Sequence, residues 1–255
     1  MKSVGIVIST VGFHWEEVYD AYAQFKRANW HIELYTVDGK HPIADPRSLE
    51  VREFLSVFGL GLSKSFAPTT PTGKTLMWDM EFVSPISEID TDHDVLYIPG
   101  GHGCLFDVNI NSDLHGKIKE FYNQNKILSA VCHGTSAFAF VEDVEGKSIV
   151  NGKRMTGFPE LLDDILVNVG WVPDKFLPIP YSNEGMMKRA GARVSPFNFL
   201  LSLIYPMYYV VDYPFVTGIG PKAAENVAIK AIKLAEEGVG SIKSTREERS
   251  ILADF

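Results

Sequence analysis

Cysteine is scarce in this 255-residue chain, which carries only Cys104 and Cys132. Two are too few for a disulfide framework, so both read as free thiols in a reducing compartment, and the expected location is the cytoplasm. Metal-ligand spacings are missing as well. The seven histidines form no HxxxH pair and there is no CxxC, so no metal site is expected. No GxGxxG or P-loop pattern appears, which leaves nucleotide binding without support. Basic charge is in deficit: 24 Lys and Arg against 32 Asp and Glu give a net charge of -8, which argues against nucleic acid and anionic membranes as partners. Long apolar runs are short of membrane length. The longest, FNFLLSLIYPMYYVV (197–211), is interrupted by Pro206 and falls below the roughly twenty residues of a spanning helix. A buried strand, a core loop or a subunit interface is the expectation there. The N-terminal MKSVGIVIST is apolar only from Val4 to Ile8, too short for a signal-peptide core, and reads as a first buried strand.

What the chain does have is alternation. Strand-like runs at 3–9, 31–37, 94–98 and 127–131 are separated by stretches of helical spacing at 16–27 and 113–125. Two later stretches, 159–170 and 221–238, each start with Pro and end with Gly, the punctuation of helices. This pattern predicts a mostly parallel sheet with helices on both faces. Residues 41–85 and 172–210 are less regular and read as excursions from one α/β domain spanning 1–240. Within the first, LEVREFLSVFGLGL (49–62) is helix-like, and the whole segment is expected to pack over the site or a partner. The stretch 241–255 is a charged tail. In open sheets of this kind ligands bind beyond the carboxyl ends of the strands. Three features fall at such ends: Glu16-Glu17, PGGHG (99–103) and Cys132-His133.

The stretch ILSAVCHGTSAF (127–138) passes from a strand into small and apolar residues at helical spacing, with Cys132-His133-Gly134 at the change. A residue at a sharp strand-to-helix turn is pushed into the open, as in a nucleophile elbow. A helix starting near Thr135 would lower the pKa of the Cys132 thiol, and amides at the turn would hold an oxyanion. His133 is the candidate acid–base partner. Gly100 and Gly101 let a substrate oxygen approach the main chain, and His102 is a candidate lining residue. Gly134 belongs to the same substrate-binding set. Cys104 reads as a packing residue. Glu16 and Glu17 occupy a first helical turn, where carboxylates are favoured anyway. A carboxyl beside a thiol can also move protons, and the residues alone do not choose between these readings.

AVCHGTSAF preceded by IPGGHGCLFD resembles the ThiJ/PfpI superfamily, and within it the branch of stress chaperones and glutathione-independent glyoxalases (glyoxalase III). DGKHPIADPRSL (38–49), MTGFPE (155–160) and VTGIGPKAA (216–224) resemble further signatures of that branch, so the likeness covers nearly the whole chain. It implies a flavodoxin-like three-layer sandwich. It carries the nucleophile to Cys132 and the histidine role to His133. The oxyanion amides fall to Gly101 and His133, and the acid to Glu17, with Glu16 as fallback. No cofactor is implied, and homodimers are common in the family. The chain departs from the pattern at Thr135, where the family has Pro, and at Ile219-Gly220-Pro221-Lys222-Ala223, where it has Gln-Asn-Pro-x-Ser.

The implied activity is conversion of a 2-oxoaldehyde such as methylglyoxal to a 2-hydroxy acid through a Cys132 hemithioacetal and an enediol, so a small carbonyl compound is the expected partner. Two alternatives stand beside it: a redox-sensitive holding chaperone using apolar surface such as 197–211, and a thiol amidase or hydratase of the same fold. The amidase would need a further acid to orient His133, and no residue stands out in the sequence for that role.

Overall fold

The computed structural model describes residues 1–52 and 62–238. Most of the helix-like stretch 49–62 and the charged tail lie outside the described residues.

Nine strands run through the described chain: β1 (Ser3–Val7), β2 (His31–Thr36), β3 (Ser84–Pro85), β4 (Val95–Ile98), β5 (Ile127–Val131), β6 (Arg154–Met155), β7 (Arg193–Val194), β8 (Tyr209–Asp212) and β9 (Phe215–Gly218). Seven form one sheet in the order β3-β2-β1-β4-β5-β9-β8, and β6 pairs with β7 separately. All neighbours in the large sheet are parallel except β8 and β9. The helices are α1 (Trp15–Arg27), α2 (Pro46–Leu49), α3 (Pro71–Asp79), α4 (Ser112–Asn123), α5 (Glu160–Asn168), α6 (Asn183–Arg189), α7 (Asn198–Ile204) and α8 (Ala224–Glu237).

Strand β4 shows why the central strands read as continuous apolar runs. All four of its residues are buried. Val95 and Tyr97 face one core with Val18, Tyr22 and Phe25 of α1 and Val227, Ala228 and Ala231 of α8. Leu96 and Ile98 face the other, with Leu114, Ile118 and Phe121 of α4. Successive side chains alternate across the sheet, so a strand covered on both faces needs an apolar residue at every position. Fully burying side chains of this size contributes roughly 1.5–3 kcal/mol each. This is the expected three-layer α/β sandwich.

The two excursions contain more regular structure than their composition suggested. The first holds α2 and α3, the second α6 and α7. Segment 197–211 is neither a buried strand nor a core loop. It forms α7 and the edge strand β8, with Phe197 and Ile204 largely exposed. No helix among the described residues is long and apolar enough to cross a membrane.

The sheet order decides where the chemistry lies. Strands β1, β4 and β5 are adjacent, so the segments leaving their carboxyl ends meet: α1 with Glu16 and Glu17, the Gly100-Gly101 turn, and Cys132. The first excursion crosses this edge. Ile43 pairs with Thr10 and Phe13, and the Asp45 amide donates to Phe13 O at 2.8 Å. The hydroxyl of Ser48 accepts the Trp15 amide at the start of α1 at 3.1 Å, an orphan donor that His14, the residue before the helix, does not satisfy with its own side chain.

Candidate active site

Cys132 follows β5 directly and takes φ = 55°, a left-handed conformation costly for any residue with a Cβ. The turn is held from several sides. Thr135 Oγ1 donates to Cys132 O at 2.8 Å, Asn183 Nδ2 donates to the same carbonyl at 3.3 Å, and the Ser136 amide donates to Asn183 Oδ1 at 3.2 Å. Thr135, the departure from the family pattern, is thus a buried brace of the elbow. Gly134 is required by packing. A Cβ there would lie 2.5 Å from the carbonyl oxygens of Ile98 and Pro99. It presses against the end of β4, which fixes the height of the elbow.

Two local expectations about the thiol are corrected. The segment after β5 is a run of 3-10 turns, Cys132–Phe140, with no α-helix starting near Thr135. The thiol is almost fully buried. Burial, with the Glu17 carboxyl beside it, pushes the Cys132 pKa well above its usual value, against the favourable amide of His133. A helix terminus does not set this thiol; its surroundings do.

The surroundings form a relay. Cys132 Sγ lies 3.3 Å from His133 Nδ1, and His133 Nε2 lies 3.0 Å from Asp163 Oδ2. With Nε2–H donating to the carboxylate, Nδ1 is left as an acceptor aimed at the thiol. Burial lowers the His133 pKa and Asp163 opposes this, so the ring rests neutral. Asp163, despite its own burial, is held well below the usual carboxylate range by His133 and His102. A thiol, a neutral imidazole and an ionised carboxylate in this order form a nucleophile–base–orienter triad.

Asp163 was missed in the sequence. It sits on α5, where Leu161 and Ile165, with Val169 just past the helix end, are the exposed apolar residues. The buried side carries Asp163 and Leu166, three residues apart. A carboxylate sharing an apolar helical face was the available signal.

Glu17 and Glu16 part company. Glu17 is fully buried; its Oε2 accepts the Gly100 amide at 2.5 Å, and the carboxyl faces the Cys132 thiol. Burial raises its pKa to about 8, partly offset by the Gly100 amide and Cys132, so it is a carboxylic acid at neutral pH. Glu16 turns away and pairs with Lys222. Lys222, in the second departure from the family pattern, is therefore the counter-charge of the carboxylate next door to the site. The Gly100 amide is occupied by Glu17, which corrects its expected use as a substrate donor. Gly101, at φ = 100°, lines the cavity. Cys104 is buried, its thiol donating to Pro99 O at 3.3 Å.

His102 also lines the cavity, its ring centroid 4.6 Å from that of His133. Its Nε2 lies 3.4 Å from Asp163 Oδ1 and its Nδ1 3.8 Å from Asp45 Oδ2. Burial works against the charged ring, but the two carboxylates push its pKa up to about 9. Asp45 does double service, capping α2 through the Arg47 amide at 2.9 Å. Sequence spacing excluded a metal, but the fold brings His102, His133 and Asp163 together with their donor atoms within 4.8 Å of one another. The cavity above the thiol is small, about 40 Å³ of water-accessible volume, with Phe158, Leu166 and Trp171 as apolar walls.

The DJ-1/PfpI family profile matches residues 2–234. The chain is 26% identical over 225 residues to the fission yeast (Schizosaccharomyces pombe) protein named glutathione-independent glyoxalase hsp3102, covering 87% of this chain and 88% of that one. Among solved structures, the rapid encystment protein of Francisella tularensis superposes with a TM-score of 0.71 at 24% identity, over 92% of this chain and 99% of the other. Glyoxalase III of Candida albicans superposes with a TM-score of 0.65 at 20% identity, over 91% and 96%. With a matching profile over almost the whole chain, an elbow thiol after β5 and a glycine turn after β4, this protein belongs to the DJ-1/PfpI family.

Proposed function

We propose that this protein is a cysteine-dependent glyoxalase that converts a small 2-oxoaldehyde, such as methylglyoxal, and water to a 2-hydroxy acid without glutathione. The observation that carries the reading is the placement of one thiol between a neutral, carboxylate-oriented imidazole and a protonated carboxyl, with the thiol and the imidazole opening onto a cavity of about 40 Å³. The relative named a glutathione-independent glyoxalase supports it.

His133 Nδ1 takes the thiol proton as Sγ adds to the aldehyde carbon, and Asp163 stabilises the imidazolium. Glu17 gives its proton to the new alkoxide, forming the hemithioacetal. The Glu17 carboxylate then removes the hydrogen from C1 while His133 protonates the C2 oxygen, which gives the enediol. Glu17 returns that hydrogen to C2 and His133 takes the proton from the C1 oxygen, leaving a 2-hydroxy thioester on Cys132. Water attacks the thioester, one of its protons goes to Glu17, and His133 reprotonates the departing sulfur. Every group is back in its starting state, and each transfer needs a donor and an acceptor within hydrogen-bond reach of the reacting atoms.

The test is lactate formation from methylglyoxal without glutathione, by the wild type and by Cys132→Ser, Glu17→Gln and Asp163→Asn. Turnover in the wild type that each substitution cuts sharply supports the proposal. A wild type that forms no lactate but hydrolyses amides through Cys132 would replace it with the amidase reading. Absence of both, with binding of unfolded protein, would replace it with the chaperone reading.

A further inference from the structure

We infer that His102, His133 and Asp163 form a binding site for a divalent transition metal such as Zn²⁺, and that occupation of this site shuts off Cys132. The residues have the chemistry for it: two imidazoles and one carboxylate suit a borderline cation, and three protein ligands with an open fourth position are a common zinc arrangement. The geometry is close to assembled. A tetrahedral zinc with bonds of about 2.0–2.1 Å sets its ligand atoms about 3.3 Å apart. The two imidazole–carboxylate edges here are 3.0 and 3.4 Å. All three donor atoms lie within 4.8 Å of one another, so the two rings need to close by up to about 1.5 Å.

The outer contacts also fit. Metal-bound imidazoles characteristically present their second nitrogen to a carboxylate or another polar group. His102 Nδ1 faces Asp45 at 3.8 Å, and His133 Nδ1 faces the Cys132 sulfur at 3.3 Å. His102 Nε2 is buried and faces Asp163 Oδ1 at 3.4 Å, on the same carboxylate that His133 Nε2 meets. A metal would engage this nitrogen by displacing the proton it shares with Asp163, so binding releases a proton. Both rings line the cavity, which supplies the entry path.

The consequence follows from which atoms are taken. A metal on His133 Nε2 and Asp163 takes the place of the hydrogen bond that orients the imidazole and leaves the ring's one proton on Nδ1, which then faces the Cys132 sulfur as a donor and cannot accept the thiol proton. Cys132 then has no base. The site itself does not depend on the glyoxalase reading; only the effect on turnover rests on it.

The full chain, stripped with chelator, is titrated with Zn²⁺ by calorimetry and with Co²⁺ by visible absorption. The expected result is one metal per chain, with a Co²⁺ spectrum lacking a thiolate charge-transfer band. His102→Ala weakens binding more than about tenfold and Asp45→Asn about tenfold, whereas Cys132→Ser leaves it intact. Zn²⁺ stops methylglyoxal turnover and chelator restores it. No stoichiometric binding, a thiolate band, or wild-type binding by His102→Ala each overturns the site. If His102→Ala fails to fold, the wild-type cobalt spectrum and Asp45→Asn decide. Binding as expected in a protein without lactate formation would refute the glyoxalase reading and leave the metal site standing.

Discussion

Replacing Gly100 with alanine adds a single methyl at the point where the site's parts touch. That methyl would lie 2.7 Å from His133 N, 2.8 Å from Cys132 Cβ and 2.9 Å from Glu17 Oε2. Ordinary contacts begin at 3.4 Å, so the three neighbours must give way by 0.5–0.7 Å. Two of the three atoms belong to the braced elbow, which has little freedom to move. Overpacking of this kind costs roughly 1–3 kcal/mol of stability. Displacements approaching 1 Å at reacting groups cost about 10²-fold in rate, or about 2.7 kcal/mol in the barrier. Gly100→Ala is therefore expected to fold, melt a few degrees lower, and lose about 10²-fold in turnover. Alkylation of Cys132 by iodoacetamide should slow as well, which reads the thiol without reference to any substrate. The control is Gly116→Ala, on the exposed side of α4 with nothing within 4 Å of the added atom. It should gain about 0.8–1 kcal/mol of stability and leave both rates unchanged. Wild-type alkylation and turnover in Gly100→Ala would refute the account of how thiol, amide and carboxyl are packed.

Three further outcomes are expected. Asp163→Asn should preserve the fold but lower turnover by about 10³–10⁴-fold, because the amide favours the wrong imidazole tautomer; steady-state kinetics with circular dichroism checks this. Lys222→Met leaves Glu16 buried without its counter-charge and should cost about 3 kcal/mol, with Glu16→Gln in the same chain recovering most of it, as read from urea midpoints. Stability should fall as pH rises from about 4.5 to 8. Burial raises Glu17 from 4.5 and Asp20 from 3.8, both to about 8, so the folded chain keeps protons that the unfolded chain has released. Asp20→Asn should flatten that slope, and a urea midpoint that rises over the same interval would contradict it.

The sandwich was legible because its central strands and helices bury their faces with regular periods, as β4, α1 and α4 show. The convergence of Glu17, Gly101, His102 and Cys132-His133 was legible too, since each follows a strand and β1, β4 and β5 are neighbours. Asp163 was not. It reaches His133 across thirty residues of chain, a relation that spacing does not encode, and its helix displays apolar residues to solvent. The resting state of the thiol was read in the wrong direction because it depends on burial, which no local pattern reports. Gly100 was visible as a glycine, but that its amide serves the Glu17 carboxyl is decided only by the packed neighbours. The metal-ligand set escaped for the same reason, its three members being 31 and 30 residues apart along the chain.

The short segment of backbone that crosses the sheet edge at 43–48 has a bearing on how this site could be inherited or transplanted. Its Ser48 fastens the start of the helix that carries Glu17, and its Asp45 faces the ring of His102. The proton-handling side and the imidazole side are thereby registered against each other by one six-residue segment. A strand–turn cassette bearing the cysteine would therefore arrive incomplete in a related scaffold unless this crossing came with it. Changes in its length should disturb both sides together, and with them the cavity that Asp45 and Arg47 help to line, so insertions here would be selected against.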